Sequence, residues 1–288
     1  MTTAVIGPTG RVGSDLVRGL LARGDAVAAL VRDPDKARRV FGEPDGLRVR
    51  RTRPDDPRDL SKALDGIRTV FIAMGSTGTE GVLQRIAINA AAGISSIEQV
   101  TRLSVLNTSA DSLGINQRAH YSIDQFASST AAPYSTIRPA IFSASLLAAA
   151  PEVRASRTWT GLAGGGRTAL IDHRDVAEAG LRVLTDPALW GAHHDLTGPV
   201  PLSWPEALEL LSAELGEPVT FRVAAERQFL ERLTDAGVPA GTAELLITRE
   251  WAILAGENDY TTGTFQQITG RPPRPVAEFL HQYRTEFT

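Results

Sequence analysis

Three glycines near the amino terminus constrain the fold of this chain more than any other feature. Gly7, Gly10 and Gly13 follow an apolar run at 3–7 and lead into an amphipathic helical pattern at 15–23. Glycines at this spacing allow a tight turn, close approach of a ligand to the backbone, and close packing of a helix on a strand. The unpaired N–H groups and positive dipole end of such a helix bind pyrophosphate. The motif therefore predicts a dinucleotide-binding βαβ unit.

Strand and helix patterns alternate along the first 140 residues. We predict strands at 3–7, 26–31, 47–51, 70–74, 96–103 and 134–137, and helices at 15–23, 34–40, 57–64, 81–92 and 120–130. Several of these strands are continuous apolar runs, which is typical of parallel strands buried on both faces. The predicted fold class is therefore α/β, a Rossmann-type doubly wound parallel sheet with right-handed crossovers.

The residue that follows the second strand indicates which dinucleotide is bound. In NAD sites an acidic side chain at this position accepts hydrogen bonds from the adenosine ribose, whereas a guanidinium pairs with the 2′-phosphate of NADP. Here the position is Arg32, and Lys36 follows one helical turn later. Asp33 is an alternative ribose partner, although Asp33-Pro34 more naturally begins the next helix. The sequence favours NADPH as the cofactor.

The pattern changes after residue 140. We predict helices at 140–150, 176–184, 203–215 and through most of 225–257, a glycine-rich loop at 161–166, and a strand at 169–173. Asp175 is the predicted cap of the second helix, and Ser203 with Pro205 begins the third. We therefore expect an NADP-binding Rossmann domain at 1–145, joined by about 168–198. A smaller, mostly helical substrate-binding lobe would comprise 146–167 and 199–288.

Composition argues against several classes of partner and site. The 288 residues have a net charge of −3, and the one short basic run, at 48–53, is typical of a solvated strand edge, so we expect no nucleic acid partner. The chain has no cysteine, and adjacent His193 and His194 would point to opposite faces of a strand, so we expect no metal. Neither a signal peptide nor a membrane-spanning run is recognisable. We expect a cytoplasmic monomer or homodimer with a small-molecule substrate and no membrane partner.

Several short motifs, in the right order along nearly the whole chain, resemble the NmrA-like group of atypical short-chain dehydrogenases/reductases. They are Gly7-Pro-Thr-Gly-Arg-Val-Gly13, Leu30-Val-Arg-Asp-Pro34, Leu103-Ser-Val-Leu106, Ile137-Arg-Pro139, Ile171-Asp-His-Arg-Asp-Val-Ala177, Leu196-Thr-Gly-Pro199 and Gly270-Arg-Pro-Pro273. The resemblance implies a Rossmann-type oxidoreductase or a related dinucleotide-binding protein.

The resemblance also implies which residues contact the cofactor. The implied contacts are Gly7, Thr9, Gly10, Arg11, Val12 and Gly13 at the pyrophosphate, Arg32 and Lys36 at the 2′-phosphate, Ala73, Met74 and Gly75 at the adenosine, and Pro139, Ala140, Ile141 and Phe142 at the nicotinamide. One departure concerns the adenine. The family commonly has Gly-Asp after the third strand, where this chain has Thr52-Arg-Pro54, so Arg53 or the backbone alone would contact the adenine.

The usual catalytic pair of short-chain reductases is absent. In Tyr-x-x-x-Lys the tyrosine donates a proton, and the lysine lowers the tyrosine pKa. Here Tyr121 is followed four residues later by Gln125. A second register, counted back from Pro133 and Arg138-Pro139, gives Asn116 and His120, and His120 is followed by Asp124. That register is similar to the His-x-x-x-Glu often found in NmrA-like proteins. The candidate catalytic residues are therefore His120, Tyr121 and Ser104, although each also has a purely structural interpretation as a helix-start, core or strand-end residue.

Two functions remain open. The first is an NADPH-dependent reductase that transfers hydride to a carbonyl of a polycyclic aromatic ketone or a quinone, with a proton from water, a substrate phenol, His120 or Tyr121. Resemblance to tailoring ketoreductases extends this reading to aromatic polyketides of the angucyclinone type, and hence to antibiotic biosynthesis. The second is a non-catalytic NADP(H)-sensing regulator of the NmrA type. Nucleotide-sugar and flavonoid-type reductases usually retain Tyr-x-x-x-Lys, and an esterase would need Gly-x-Ser-x-Gly, so both are disfavoured.

Overall fold

A seven-stranded parallel sheet forms the centre of the protein, in a computed structural model that describes residues 2–75, 78–131 and 133–288. The strands of the protein are β1 (Thr2–Ile6), β2 (Ala26–Val31), β3 (Leu47–Arg51), β4 (Thr69–Ile72), β5 (Gln99–Leu103), β6 (Tyr134–Pro139), β7 (Thr158–Gly161), β8 (Arg167–Thr168), β9 (His193–Leu196), β10 (Leu202–Ser203) and β11 (Thr220–Val223). The order in the main sheet is β3-β2-β1-β4-β5-β6-β9, with parallel pairing throughout. This confirms the predicted fold class.

Helices cover both faces of the sheet, and further helices form the C-terminal part. In chain order the helices are α1 (Arg11–Ala22), α2 (Pro34–Phe41), α3 (Pro57–Leu64), α4 (Thr79–Ala92), α5 (Ile115–Ser128), α6 (Ala150–Ser156), α7 (His173–Thr185), α8 (Trp204–Leu215), α9 (Glu226–Asp235), α10 (Ala240–Leu254), α11 (Thr264–Thr269) and α12 (Val276–Gln282). Side chains alternate along a strand. Val5 of β1 therefore packs with α1 and α7, whereas Ala4 and Ile6 pack with α3, α4 and α5 on the opposite face.

The strand order reverses between β1 and β4, which are neighbours in the sheet. In open α/β sheets ligands bind in the crevice at such a switch point, beyond the carboxyl ends of the strands. Gly7 follows β1 and Ala73 follows β4, and the Ala73 N–H donates to the Ile6 carbonyl at 2.9 Å. The predicted glycine turn therefore lies at the ligand-binding edge of the sheet.

The C-terminal part is mostly helical and has its own hydrophobic cluster. Trp159 of β7 and Trp204 of α8 meet edge to face, with ring centres 5.0 Å apart, inside a cluster that also includes Val153 and Leu280. Two small sheets, β8 with β10 and β7 with β11, accompany the helices. Ser203 begins α8 through a capping box with Glu206, as the sequence predicts. The proposed division into domains stays a prediction.

Two predictions for the segment before α7 were wrong. The expected strand at 169–173 is not formed, because the Leu170 N–H donates to the Thr168 carbonyl and only Ile171 makes a bridge, with Phe142. Asp175 does not cap α7. The cap is Asp172, whose side chain accepts from the Arg174 N–H. The residues at 169–171 are apolar because they are buried in the core. Asp175 is also buried, where it pairs with Arg271 and Arg274.

Several helix and strand starts also differ from the predicted ones. Helix α1 begins at 11 rather than 15 and α5 at 115 rather than 120, while β5 begins at 99 rather than 96. Both helices follow a glycine N-cap without a side-chain capping bond, so no Ser, Thr or Asp marks their first turn. The helix expected at 140–150 is a 3₁₀ turn, Ser143–Ala149, that leads into α6. None of the helices in the described ranges is long and apolar enough to cross a membrane.

Candidate cofactor and substrate site

The glycine turn packs so closely against the protein backbone that side chains are excluded at two of its positions. Gly7 has a φ of +81°, and a Cβ there would lie 2.1 Å from the Ala73 carbonyl oxygen, while a Cβ on Gly13 would lie 2.3 Å from the Gly7 carbonyl oxygen. Helix α1 begins after Gly10 with no side-chain cap and no acidic residue in its first turn. The first-turn N–H groups are therefore available to an anion, and the turn fits a dinucleotide pyrophosphate.

A cavity of about 410 Å³ extends from this turn to the ends of β2 and β4, and we call it the Arg32 cavity. Its lining includes the predicted Gly7, Thr9, Gly10, Arg32, Lys36, Ala73, Met74 and Gly75. Among the described residues, no carboxylate forms an ion pair with Arg32 or Lys36. Two unpaired cations in one cavity would attract a phosphate.

Asp33 is engaged in capping and is a poor alternative partner for a ribose. Its Oδ1 accepts hydrogen bonds from the backbone N–H groups of Asp35 and Lys36 at 3.0 and 3.1 Å, and so begins α2. The bond from Lys36, followed by that from Asp35, lowers the pKa of Asp33. Arg53 is likewise engaged, because its guanidinium pairs with Asp56 while its neighbours in sequence line the Arg32 cavity.

Two further cavities share lining residues with the Arg32 cavity or with each other. The Trp159 cavity, of about 730 Å³, is lined by Gly10, Arg11, Val12, Gly13, Ala73, Phe142, Trp159, Phe229, Arg232 and Arg249, among others. The Pro139 cavity, of about 260 Å³, is lined by Pro139, Ala140, Ile141, Phe142, Asn116 and Arg249, among others. Every predicted cofactor residue thus lines at least one of the three cavities. Whether these residues contact the cofactor stays a prediction.

Ser104 and His120 lie in a buried cluster around Arg102, a residue that the sequence reading missed. The Arg102 side chain is 0% exposed, and its nitrogens donate to His120 Nδ1 at 2.7 Å, to Ser104 Oγ at 2.8 Å and to Asp124. Nε donates to the Tyr134 hydroxyl at 2.6 Å. A charged residue inside a strand predicted to be central in the sheet was the available signal.

The cluster fixes the protonation of His120. A guanidinium only donates hydrogen bonds, so Nδ1 must be the acceptor, and the neutral ring then carries its proton on Nε2. Burial, and secondly the charge of Arg102, lower the pKa of His120 well below its ordinary value. Burial raises the pKa of Asp124, but the charge and hydrogen bonds of Arg102 outweigh it and keep that pKa low. His120 is therefore a neutral N–H donor at physiological pH.

The remaining predicted positions lie outside this cluster. Tyr121, on α5, is half-buried and is not among the residues that line the three cavities. His193 Nδ1 pairs with the Thr136 hydroxyl at 2.8 Å, and His194 Nε2 pairs with the Leu189 carbonyl at 2.9 Å. Within the described ranges, no group of three or more His, Asp or Glu side chains is arranged to hold a metal ion.

A protein-family model matches the part of the chain that forms most of this site, and it identifies the family. The model of a family described as NAD(P)H-binding matches residues 7–187, from the glycine turn through α7. The chain belongs to this family. The match includes the Arg32 cavity and the residues after β6, so the predicted nicotinamide cofactor is confirmed.

Relatives in the NAD(P)H-binding family are similar over nearly the full chain. An NAD(P)H azoreductase from Xenophilus azovorans is 30% identical over 98% of this chain and 98% of its own length. Quinone oxidoreductase 2 from Escherichia coli is 26% identical over 96% of each. A crystal structure of an NADPH-dependent quinone oxidoreductase from Escherichia coli, complexed with NADPH, has a TM-score of 0.90 at 24% identity and covers 98% of this chain and 99% of that one. The predicted class, an NADPH-dependent oxidoreductase, is confirmed.

The NmrA-like resemblance is confirmed at the level of the fold. NmrA, a negative transcriptional regulator solved in complex with NADP, has a TM-score of 0.77 at 18% identity, covering 98% of this chain and 94% of that one. At this identity the similarity concerns the fold alone. The ketoreductase subtype stays a prediction.

Arg249, on α10, is the second charged residue that the sequence reading missed. It lines both the Trp159 cavity and the Pro139 cavity, and it pairs with its neighbour Glu250 at 2.6 Å. Adjacent Arg and Glu near the apolar end of the helix were the available signal. Only the folded chain brings α10 to the ends of β5 and β6.

Proposed function

We propose that this member of the NAD(P)H-binding family reduces quinones, and related carbonyls of polycyclic aromatic compounds, with NADPH. The observation that carries the proposal is the continuity of the three cavities. The Arg32 cavity shares Gly10 and Ala73 with the Trp159 cavity, which in turn shares Phe142, Ser145 and Arg249 with the Pro139 cavity. A dinucleotide along this track would end beside a space large enough for several fused rings.

The walls of the Trp159 cavity support an aromatic substrate. Phe142, Trp159 and Phe229 contribute ring surfaces, and planar conjugated molecules stack well on such surfaces. The relatives support the same class, since one is named as an azoreductase and another as a quinone oxidoreductase. Azo compounds and quinones, the substrates that these names indicate, are both conjugated molecules that can accept two electrons. Ketones of aromatic polyketides, including angucyclinones, are the narrower substrate class within the proposal.

NADPH is the proposed cofactor form because of Arg32 and Lys36. The N–H groups of the first turn of α1 would bind the pyrophosphate, the two cations would bind the 2′-phosphate, and the chain at 139–142 would lie against the nicotinamide. When bound, NADPH supplies the hydride. The chain then positions the cofactor and the substrate, excludes water from between them, and stabilises the charge that develops.

Water or a phenol of the substrate is the proposed source of the proton. His120 is neutral and held by Arg102, so it could donate a hydrogen bond through Nε2 but would not act as a protonated acid at neutral pH. Neither His120 nor Tyr121 lines any of the three cavities, which favours water or the substrate as the proton source. Ser104 is committed to Arg102 and Asp124.

The proposal is tested by measuring cofactor binding and turnover separately. Titration with NADPH, followed by protein fluorescence, measures binding. NADPH oxidation is then recorded against a panel of 1,4-naphthoquinone, a hydroxyanthraquinone, an aromatic polyketide ketone and an azo dye. We expect oxidation with the quinones above the rate without acceptor. Tight NADPH binding without oxidation by any panel member would contradict the reductase and favour the nucleotide-sensing alternative.

A further inference from the structure

One arginine lies where the Trp159 cavity meets the Pro139 cavity. Phe142, Ser145 and Arg249 line both cavities, and Arg249 is the charged member of the three. On the proposed function, the Pro139 cavity receives the nicotinamide, and the part of the Trp159 cavity lined by Phe142, Trp159 and Phe229 receives the substrate rings. A carbonyl oxygen of the substrate would then lie at this junction, beside Arg249.

The guanidinium of Arg249 is held along one edge only. Nε and Nη2 donate to Glu250 Oε1 at 3.0 and 2.6 Å, and the guanidinium carbon lies 5.7 Å from the centre of the Trp204 ring. In the part of the chain that is described, no atom accepts a hydrogen bond from Nη1. The Arg249 side chain is 20% exposed and that of Glu250 is 2% exposed, so the cation is nearer the cavity surface than its counter-ion.

The counter-ion is itself fixed. Glu250 Oε2 accepts a hydrogen bond from Trp204 Nε1 at 2.8 Å and from the Ala163 N–H at 3.3 Å. A carboxylate with these partners cannot swing away, so it fixes the rotamer of Arg249. The free nitrogen is therefore preorganised as a donor rather than mobile in solvent.

A second arginine in the same cavity is engaged differently. Arg232 donates from Nη2 to Glu152 Oε2 at 2.7 Å, and Glu152 also accepts from the Thr160 backbone and hydroxyl. Arg232 and Glu152 line the Trp159 cavity but not the Pro139 cavity. Arg249, and not Arg232, is therefore at the junction.

We propose that Nη1 of Arg249 binds the substrate oxygen on which negative charge develops. This inference rests on the proposed function. A quinone would accept the hydride at one carbonyl oxygen, so that a C–H bond of NADPH breaks, an O–H bond forms and NADPH becomes NADP⁺. The ring becomes aromatic, and the negative charge develops on the other carbonyl oxygen. That oxygen would then take one proton from water to complete the hydroquinone. A preorganised donor at the developing anion stabilises the transition state more than the ground state, so Arg249 supplies an electrostatic substitute for the absent Tyr/Lys pair.

Turnover of Arg249 variants is the first test. We expect Arg249→Gln to lower kcat with 1,4-naphthoquinone by about 10²–10³-fold, the loss typical of removing one oxyanion donor, with an unchanged Kd for NADPH. Arg249→Lys should retain part of the rate, because it keeps the charge but not the planar fork. Free guanidinium ion should restore part of the activity of Arg249→Ala. Arg227→Gln, on the exposed surface of α9, is the matched control and should leave kcat unchanged.

A binding measurement without turnover is the second test. 4-Nitrophenol ionises near neutral pH, and its anion absorbs visible light, so its apparent pKa can be measured when it is bound to the NADP⁺ complex. We expect the wild-type complex to lower the pKa of bound 4-nitrophenol, because Arg249 favours the phenolate. Arg249→Gln should abolish this shift, and Arg227→Gln should retain it.

The two tests separate the inference from the function it rests on. Wild-type kcat and a wild-type 4-nitrophenol pKa in Arg249→Gln would overturn the role of Arg249 and leave quinone reduction intact. An Arg249-dependent pKa shift in a wild-type protein that reduces no quinone would overturn the proposed function and leave the anion site standing. If Arg249→Gln does not fold, the same two measurements on Arg249→Lys decide, and wild-type values for both overturn the inference.

Discussion

Arg32 and Lys36 make a prediction about cofactor choice at the scale of single residues. Arg32→Gln removes a cation that has no ion-pair partner among the described residues of the Arg32 cavity. A charge-assisted hydrogen bond contributes about 1.5–3 kcal/mol, so we expect NADPH affinity to fall about 10- to 100-fold. NADH affinity should change little, because NADH lacks the 2′-phosphate. Fluorescence titration of both cofactors measures this, with Arg38→Gln, on α2 and outside the lining of the Arg32 cavity, as control. Equal losses for NADPH and NADH would contradict the assignment.

His120 makes a prediction about the pH dependence of stability. Its folded-state pKa lies below the ordinary value of 6.5, so below pH 6.5 the unfolded chain binds a proton that the folded chain does not. The free energy of unfolding therefore falls as pH drops from 6.5, by up to about 1.4 kcal/mol per pH unit for this one proton. Urea unfolding between pH 7 and pH 5 should show a shallower fall in His120→Asn. Parallel pH profiles for the two proteins would contradict the neutral, buried assignment.

Residues with a local motif could be predicted from the sequence, and residues whose role depends on distant contacts could not. Arg32 directly follows a strand that the sequence delimits, so its place at the cofactor edge was readable. Arg102 reads as an outlier in β5 until Asp124 and Tyr134 surround it, and Arg249 reads as a helix surface residue. Tyr134 lies 32 residues after Arg102, and the Trp204 ring beside Arg249 belongs to another helix, so no spacing rule connects these partners.

At the scale of an element, the glycine turn makes a steric prediction. Gly13→Ala places a Cβ 2.3 Å from the Gly7 carbonyl oxygen, and backbone atoms cannot yield as a flexible side chain would. We expect a loss of about 1–3 kcal/mol in the free energy of unfolding, typical of overpacking, together with weakened NADPH binding. Gly241→Ala in α10 is the matched control, since nothing lies within 4 Å of its added Cβ. Urea unfolding and NADPH titration check both effects, and unchanged values for Gly13→Ala would contradict the close packing.

Elements with strong boundary signals were predicted well, and elements shaped by tertiary contacts were not. Helix α3 has the predicted bounds, because Asp56 and Pro57 begin it and Gly66 follows its end. Helix α5 begins five residues early, because its first turn follows Gly114 and carries no capping side chain. At 169–173 the sequence predicts a strand that the structure does not form. Its apolar residues are buried by neighbours from several elements, and burial alone does not require a strand partner.

At the scale of the whole molecule, the site depends on joining distant parts of the chain. The glycine turn and the chain after β2, β3 and β4 line the Arg32 cavity, the chain after β6 lines much of the Pro139 cavity, and α6, β7, α9 and α10 supply outer walls of the Trp159 cavity. The first of these was predictable, because its residues follow strands that the sequence delimits. The last was not, because a cavity wall formed by α10 needs the packing of Trp204, Ile253 and their neighbours to bring it over the sheet.

One buried carboxylate holds the end of the chain to this assembly. Asp175 of α7 is 0% exposed, and it accepts from Arg271 Nη2 at 2.6 Å, from the Arg274 N–H at 2.7 Å and from the Arg274 guanidinium. These contacts anchor the segment before α12, whose Phe279 and Leu280 are buried. Asp175 therefore connects the sheet-covering helix α7 to residues about one hundred positions later.

Asp175→Asn should thus destabilise the whole protein rather than α7 alone. Removing one partner of a fully buried ion pair costs about 3–5 kcal/mol, and because both arginines are partly exposed and can be solvated, we expect about 2–3 kcal/mol. Glu278→Gln removes an exposed partner of Arg274 and should cost less than about 1 kcal/mol. Urea unfolding of both variants measures the difference at neutral pH. Equal, small losses would show that the C-terminal segment is held by Phe279 and Leu280 without help from the ion cluster.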